Sequence, residues 1–358
     1  MSNAGLKVLV LADSRSFHAE RFVAELERQG CEALTASLED GAMSHYQLRR
    51  RGPIRIIHYA LAAVEVRRLI RSFEPDLLNP HFASGYGFLT AMAERRSSIP
   101  VLLHLWGSDI LIAPHKSVFH RRKTRLALES ADSVVGDSDY LLDEAAKIGQ
   151  LRQRHTIVWG LEREFVRRES DDTPLRTPLK IIIPRVHEAV YNNIFVVRAL
   201  ADLVNGGMVQ LTFPDFGGRV NEFKAAAARL VASGLKFYSK LPRREYLKFA
   251  ATHDVYLSAS LSDSSPASML EAMGLGLIPA AGDIPGVREW ITPSSGFLFD
   301  LSRESELRNI VVRLLRGEGD VATMRRTNLE LVGRKAIFED NIGETIAIMR
   351  ELVAERSV

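Results

Sequence analysis

One stretch in the second half of the chain decides the fold: Ser258-Ala-Ser-Leu-Ser-Asp-Ser-Ser-Pro-Ala-Ser-Met-Leu-Glu-Ala-Met-Gly-Leu-Gly-Leu-Ile-Pro-Ala280. It predicts a buried strand, a polar loop, a helix and a second buried strand. Ser264 or Ser265 is expected to cap the helix, and Pro266 suits its first turn. Apolar strands that alternate with helices in this way are typical of a parallel sheet covered by helices on both faces.

The same alternation fills the rest of the chain. Strands are predicted at Lys7–Ala12, Leu77–Asn79, Val101–Leu105, Ser133–Val135, Thr156–Val158, Leu179–Ile183, Val209–Phe213, Leu235–Tyr238, Asp254–Ser258 and Leu277–Ala280. Helices are predicted over 17–29, 192–204 and 338–355. The polar stretch from Arg167 to Pro174 indicates a linker. We therefore predict an α/β protein with two Rossmann-like, doubly wound domains, 1–165 and 166–337, and a C-terminal helix, 338–358, that packs back toward the first domain.

Two such domains are expected to face each other across a cleft, with their strand-to-helix loops lining it. The alternative is a tandem arrangement in which the two halves share no site. The length of 358 residues, with 46% hydrophobic and 25% charged residues, suits two globular domains. A net charge of +3 is too small to favour nucleic-acid binding.

Composition also bears on the compartment. The single cysteine, Cys31, can form neither an intramolecular disulfide nor a thiolate metal cluster, which favours a reducing compartment. No apolar run approaches the roughly 20 residues that span a bilayer. The cytoplasm is therefore expected, with the inner face of the plasma membrane as a further place of action.

The helix in the quoted stretch predicts an anion site. The backbone amides of Ala267, Ser268 and Met269 would be donors at the positive end of a helix. Asp263 precedes this helix and Glu271 lies inside it. A diphosphate bound at the helix start would thus have one carboxylate near its sugar and another near its ribose.

The pattern Asp263-x7-Glu271, followed by Ala-Met-Gly-x-Gly, resembles the E-x7-E signature of family four glycosyltransferases, and the resemblance runs through most of the chain. It implies a GT-B fold and implies that Glu271 holds the donor ribose while Asp263 contacts the transferred sugar. Asp in place of the family's first Glu shortens the reach and leaves the choice of sugar open. The alternative is a capped helix with a surface Asp and a packing Glu.

The loop Ile183–Asn192 resembles the one in which family members place an Arg and then a Lys to neutralise the donor diphosphate. Arg185 matches the Arg, while Tyr191 stands at the Lys position. Ser264, Ser265 and Lys240 are further candidates for donor contact. The alternative for Arg185 is a salt-bridged loop residue.

In the first half, His104-Leu-Trp106-Gly-Ser-Asp109 resembles the family's His-Gly-x-Asp region beside the reacting sugar. The resemblance implies that Asp109 is a catalytic residue and that Trp106, at the usual His place, contacts the acceptor. The alternative is that Asp109 caps the next helix and Trp106 packs against the interdomain wall.

Two further loops supply acceptor-binding candidates. Asn79–Gly87 resembles an acceptor-side loop and contributes His81 and Gly85, although a lone His is more often structural. The first loop contributes Arg15 and His18. Because it lacks Gly-x-Gly-x-x-Gly, it argues against a dehydrogenase.

Two basic clusters suggest contact with an anionic membrane: Arg49-Arg50-Arg51 with Arg55, Arg67, Arg68 and Arg71, and His120-Arg121-Arg122-Lys123 with Arg125. A solvated basic face is the alternative.

The function implied is that of a retaining, metal-independent glycosyltransferase that moves a hexose-type sugar from a nucleotide diphosphate sugar to an acceptor hydroxyl. No cofactor is expected, and a UDP-sugar is favoured over a GDP-sugar. The acceptor is expected to be a carbohydrate or a lipid-linked glycan of cell-surface polysaccharide synthesis. Two alternatives remain open: a nucleotide-sugar epimerase, and a catalytically silent nucleotide-sugar-binding protein.

Overall fold

The computed structural model describes residues 5–43, 45–48, 55–94, 99–167 and 173–356, with the backbone alone for 55–57. The chain separates into two compact units, one formed by Met1–Val158 with Glu339–Val358 and the other by Trp159–Phe338. Residues 159–165 thus group with the second unit, in which Leu161 forms a parallel bridge to Ile337.

The described residues of the first unit form seven strands. They are β1 Lys7–Leu11, β2 Glu32–Ser37, β3 Tyr46–Gln47, β4 Leu77–Pro80, β5 Leu102–His104, β6 Ser133–Gly136 and β7 Gln153–Thr156. All pairings are parallel, in the orders β3-β2-β1-β4 and β5-β6-β7. Parallel bridges Leu78–Val101 and His81–His104 join β4 to β5. Because β1 and β4 are neighbours whose following loops run in opposite directions, a switch point lies between them. Open α/β sheets bind ligands at such a switch point.

Helices cover this sheet. They are α1 Phe17–Arg28, α2 Arg55–Phe73, α3 Phe88–Ala93, α4 Ser108–Leu111, α5 Val118–Ser130 and α6 Asp139–Ala146, with a π-helical turn at Phe82–Gly87 and a 3₁₀ turn at Ala113–His115. The C-terminal helix α14, Phe338–Arg356, joins the first unit from Glu339 onward. Gln29 donates from its side chain to the Glu339 carbonyl at 2.8 Å, and Asn341 to the Val158 carbonyl at 2.7 Å.

In the part of the second unit that the structure describes, six strands form a parallel sheet in the order β10-β9-β8-β11-β12-β13. Its strands are β8 Leu179–Ile182, β9 Val209–Pro214, β10 Leu235–Tyr238, β11 Val255–Ser258, β12 Ile278–Gly282 and β13 Phe297–Phe299. Its helices are α7 Asn193–Asn205, α8 Val220–Ala227, α9 Arg243–Ala250, α10 Ala267–Gly274, α11 Pro285–Arg288, α12 Glu304–Leu315 and α13 Val321–Lys335. This is the Rossmann strand order, and its switch point lies between β8 and β11.

Each unit carries its own apolar core, because its central strands, such as β4 in the first unit and β11 and β12 in the second, are buried on both faces. The α/β prediction is confirmed. The strand predicted at Thr156–Val158 is placed too late, since β7 ends at Thr156, and the sequence reading omits β2, β3 and β13. Among the described residues, no helix is long and apolar enough to cross a membrane.

Candidate active site

The switch point of the second unit brings two predicted donor residues together. Arg185 follows β8 and Asp263 follows β11, and their side chains form an ion pair between Nη2 and Oδ2. Only 15% of the Arg185 side chain and 19% of the Asp263 side chain are exposed. A charged pair that is largely withdrawn from water is costly unless it is well compensated, so its position at a ligand-binding edge indicates a functional role.

Arg185 is held by more than Asp263. Its guanidinium carbon lies 5.2 Å from the ring centroid of Tyr191, within cation–π range. Burial lowers the pKa of Arg185, but the charge of Asp263 and the phenols of Tyr256 and Tyr191 outweigh it and hold the pKa above its ordinary value. The buried Nε donor of Arg185 has no acceptor among the described residues. The residue is therefore a cation held in place by Asp263 and Tyr191.

The start of α10 differs from the prediction in its capping. Neither Ser264 nor Ser265 caps the helix; Pro266 occupies the N-cap, and no side chain bonds the first turn. The hydroxyl of Ser265 instead accepts the indole hydrogen of Trp290 at 2.7 Å. The serine prediction was wrong because a buried indole N–H needs an acceptor, and Ser265 is the one within reach.

The amide of Met269 is also not a free donor, since it bonds the Pro266 carbonyl at 2.8 Å. The amides of Ala267 and Ser268 find no such partner in the part of the chain that the structure describes. The Ser268 hydroxyl lies 3.2 Å from the hydroxyl of Tyr256 on β11. Two unpaired amides and one hydroxyl thus form the polar start of α10.

Glu271 is buried and bound to a residue that the sequence analysis missed. Arg243, the first residue of α9, donates from Nη1 to Glu271 Oε1 at 2.5 Å and from Nη2 to Glu162 Oε2 at 2.9 Å. Local sequence patterns could not reveal these contacts, which join residues 28 and 81 positions apart. Lys240, the cation that the sequence analysis named instead, is exposed.

In the first unit, three of the predicted acceptor residues, His81, Gly85 and Trp106, line a recess of about 390 Å³ at the β1–β4 switch point. Its walls include Asp13, Glu39, Tyr59, His81, Gly85 and Trp106. Aromatic rings beside carboxylates provide the stacking faces and hydrogen-bond acceptors that suit a hydroxyl-rich ligand.

His81 forms part of a buried polar network beneath Trp106. The rings of His81 and His104 stack with their centroids 4.7 Å apart. The side chain of Asn79 is hydrogen-bonded to both rings. Its amide oxygen lies 2.9 Å from His81 Nε2, and its amide nitrogen lies 2.9 Å from His104 Nδ1. Burial lowers the pKa of His104 to about 3, and burial together with His104 holds the pKa of His81 well below its usual range. Both rings are therefore neutral at physiological pH.

Asp109 lies below the recess with no exposed surface. Its two carboxylate oxygens accept the amides of Ala83, at 2.7 Å, and Trp106, at 2.9 Å. Burial raises the pKa of Asp109 to about 6, against the opposing effect of these amides. The geometry makes Asp109 a positioning residue that ties the π-helical turn to the Trp106 loop.

The remaining acceptor candidates lie at the rim. Arg15 is exposed and forms ion pairs with Asp13, at 2.8 Å, and Glu39, at 3.5 Å. The ring of His18 meets that of Trp106 edge to face at 5.8 Å. The structure thus brings Arg15, His18, His81, Gly85 and Trp106 into one region of the first unit.

The basic clusters are only partly described, since Arg49–Arg51 lie outside the described residues. Lys123 is not an exposed cation: it is buried, 4.5 Å above the ring of Tyr59. Its aliphatic stem and the aromatic face compensate the burial. Val118 and Phe119, by contrast, are 69% and 52% exposed beside Arg121 and Arg122.

Both halves of this chain match known protein families. Residues 7–138 match the family model described as "Glycosyl transferase 4-like", and residues 180–330 match "Glycosyl transferases group 1". Together the two matches show a glycosyltransferase of the GT-B type, 4-like in its first half and group 1 in its second.

Individual relatives of this glycosyltransferase are distant. TuaC of Bacillus subtilis, named for a glycosyltransferase of teichuronic acid biosynthesis, is 23% identical over 229 residues, which are 61% of this chain and 55% of TuaC. The match thus spans about half the length of that relative.

The fold is shared with solved structures over nearly the whole chain. HepE of Anabaena in complex with UDP-glucose aligns with a TM-score of 0.78 at 18% identity, covering 96% of this chain and 99% of HepE. Sucrose-phosphate synthase of Thermosynechococcus elongatus aligns with a TM-score of 0.83 at 13% identity, covering 98% and 100%. The predicted GT-B fold is confirmed.

Proposed function

We propose that this glycosyltransferase moves a hexose-type sugar from a nucleotide diphosphate sugar to an acceptor hydroxyl, with retention of anomeric configuration and without a metal ion. The observation that carries the proposal is the fixed Arg185–Asp263 pair at the β8–β11 switch point, beside the start of α10. A guanidinium and two free amides at one edge match the charge and geometry of a diphosphate.

In this proposal the leaving diphosphate is stabilised by protein groups alone. Arg185 supplies the cation, and the amides of Ala267 and Ser268 supply dipoles that are already oriented. Asp263 holds Arg185 before the donor binds and then accepts a hydrogen bond from a hydroxyl of the transferred sugar. Glu271 accepts hydrogen bonds from the ribose hydroxyls. A UDP-sugar is the favoured donor, and the UDP-glucose bound by HepE, a protein of the same fold, supports that choice.

The recess in the first unit is proposed to receive the acceptor. Trp106 and Tyr59 offer ring faces to a sugar, while Asp13 and Glu39 offer acceptors to its hydroxyls. Asp109 acts on this site by fixing the Trp106 loop. Polysaccharide synthesis at the cell surface is the proposed pathway, supported by the name of TuaC.

We further propose that the exposed start of α5 touches anionic lipid, which would bring the enzyme to a lipid-linked acceptor. Val118 and Phe119 are the apolar contacts, and Arg121 and Arg122 the charged ones. Sedimentation with phosphatidylglycerol vesicles should be lost in a Val118→Ser, Phe119→Ser variant. Equal sedimentation of the variant would contradict the proposal.

Turnover tests the proposed activity. UDP-, GDP- and ADP-hexoses are incubated with soluble saccharides or membrane glycolipids, and release of the nucleoside diphosphate is followed. Release should require an acceptor, persist in EDTA and be lost in Arg185→Ala. It should continue in Arg308→Ala, which removes an exposed ion pair with Asp202 on the same unit. Release that needs a divalent metal would overturn metal independence, and sugar conversion without an acceptor would favour an epimerase.

A further inference from the structure

The buried side chains of Glu162, Arg243 and Glu271 form a connected ion triad in the second unit. Arg243 contacts Glu271 through Nη1 at 2.5 Å, and Glu162 through Nη2 at 2.9 Å and Nε at 3.3 Å. The exposed fractions of the three side chains are 17%, 16% and 6% in chain order. The triad is therefore far less exposed to water than the ion pairs on the surface of this unit.

Glu162 fixes the plane of the guanidinium. Its two oxygens receive Nε and Nη2 of Arg243, which is the fork geometry that a lysine cannot reproduce. Once Arg243 is oriented in this way, Nη1 points at Oε1 of Glu271. Glu162 thus orients the guanidinium of Arg243, and Arg243 in turn orients the carboxylate of Glu271.

Arg243 also compensates the burial of Glu271. A carboxylate that is 6% exposed loses most of its hydration, and the guanidinium at 2.5 Å replaces part of that lost interaction. Burial lowers the pKa of Arg243, but the charges of Glu271 and Glu162 outweigh it, so the pKa stays above its ordinary value and Arg243 remains a cation. Two carboxylates and one guanidinium leave the triad with a net charge of −1.

Only one oxygen of Glu271 is used by this contact. Oε1 accepts from Arg243, whereas Oε2 accepts no hydrogen bond from the residues that the structure describes. A carboxylate held by one oxygen presents the other in a defined direction, which is what recognition of a vicinal diol requires.

We propose that Arg243 is the positioning residue of the ribose site: through its contact with Glu271 it sets the affinity for the ribose hydroxyls of the donor, and Glu162 orients Arg243 for this task. The inference rests on the proposed function, in which Glu271 binds ribose. It adds two residues, Glu162 and Arg243, that act on the nucleotide without touching it.

The adjacent residue offers a matched control. Arg244 pairs with Glu164, but their side chains are 61% and 57% exposed. A pair in open water contributes little and does not contact Glu271. Arg244→Ala therefore removes the same charge from the same helix start and leaves the triad intact.

The experiment compares the affinities of UDP and 2′,3′-dideoxy-UDP by calorimetry, or of the guanosine or adenosine pair if the wild-type protein prefers that base. The wild-type protein and Arg244→Ala should prefer the ribose form by about tenfold or more. Arg243→Ala should bind the two forms equally, and Glu162→Gln should show a reduced preference. Arg243→Lys, which restores the charge but not the fork, should recover only part of it.

A double variant separates positioning from general damage to the fold. Arg243→Ala combined with Glu271→Gln should bind UDP no more weakly than Glu271→Gln alone, because both changes remove one shared interaction. Losses that multiply, or an Arg243→Ala variant that keeps the ribose preference, would overturn this inference and leave the proposed function standing. Binding of none of the three nucleotides by the wild-type protein would overturn both.

Discussion

In the proposed donor site, Arg185 supplies the cation of the loop after β8, where members of the resembled family place an Arg and then a Lys. Tyr191, at the position of the family's lysine, places its ring 5.2 Å from the Arg185 guanidinium. The ring adds no charge, but it restricts the guanidinium and lowers the entropy lost when a diphosphate binds. Restricting the Arg185 side chain thus offsets part of the binding free energy that the family's lysine would contribute.

Substitutions at Tyr191 test this role. Tyr191→Phe should leave the donor KM within about twofold, because the ring face remains, whereas Tyr191→Ala should raise it by about threefold to tenfold. Steady-state kinetics with the preferred nucleotide sugar measure both. Equal KM values for the two variants would mean that the ring does not position Arg185.

The raised pKa of Asp109 predicts that the free energy of unfolding depends on pH. Its folded pKa of about 6 lies above the usual value near 4, so the folded state holds a proton that the unfolded state has lost between these pH values. Its contribution to stability is therefore present at low pH and falls as the pH rises from about 4 to about 6, by up to about 3 kcal/mol.

The measurement is the unfolding free energy of the wild-type protein and of Asp109→Asn at pH 4 to 8. The difference, wild type minus variant, should fall from pH 4 to pH 6 and be flat above about pH 7. A difference that is constant across this range would show that Asp109 titrates normally.

Some residues of the candidate site could be predicted from the sequence, and others could not. Arg185, Asp263 and Glu271 could be named because each follows a recognisable strand or lies in a helix motif. Arg243 could not, since its partners lie 28 and 81 positions away and only the folded sheet brings them together. The burial of Asp109 was equally hidden, because nothing in Trp-Gly-Ser-Asp distinguishes a carboxylate that faces a ligand from one that binds two amides.

At the scale of elements, the short helix α11 supports the loop that leads into α10. The Trp290 indole, just beyond α11, bonds Ser265, and Gly286 within α11 lies against the backbone of Ser264. A Cβ at Gly286 would come within 2.7 Å of the Ser264 carbonyl carbon. Because a backbone atom cannot rotate away, any side chain here must displace the loop that leads into α10.

Gly286→Ala is therefore expected to lower donor affinity by about tenfold and stability by about 1–3 kcal/mol. Gly333→Ala is the control, since a Cβ there meets nothing within 4 Å and the residue lies inside α13. It should raise stability by up to about 1 kcal/mol and leave donor affinity unchanged. Thermal unfolding and calorimetry distinguish the two, and unchanged donor affinity in Gly286→Ala would contradict the role assigned to α11.

The elements that the sequence predicted well are the ones whose physics is local. β11 is buried throughout, and β8 is buried except at Lys180, so their apolar composition reveals both. β2 begins with exposed and half-buried residues, β7 consists of Gln153-Arg-His-Thr156, and β13 has three residues. These strands form because their backbones pair with a neighbouring strand. That pairing depends on the tertiary fold and cannot be predicted from local composition.

At the scale of the whole molecule, the chain passes between the two units twice, at Val158–Trp159 and at Phe338–Glu339. The second passage brings α14 into the first unit, where Ile342, Ile346, Met349 and Leu352 are buried. The fold of the first unit is therefore complete only when the last twenty or so residues have joined it.

Met349→Ala tests that dependence. Removing a fully buried methionine should destabilise the protein by about 2–5 kcal/mol, whereas Glu351→Ala, at an exposed position two residues on, should change stability by less than about 0.5 kcal/mol. Denaturant unfolding measures both variants. A negligible effect of Met349→Ala would mean that α14 adds little to the first unit.

The central claim is a nucleoside diphosphate site in which Arg185 and the start of α10 bind the diphosphate and Glu271 binds the ribose. It is tested most directly by calorimetric titration with UDP, GDP and ADP, with and without magnesium. The wild-type protein should bind one of these nucleotides without metal, and Arg185→Ala and Glu271→Ala should each weaken that binding by about tenfold to a hundredfold. Arg308→Ala should bind like the wild type. Binding of no nucleotide, or equal binding by all four proteins, would contradict the site and the function built on it.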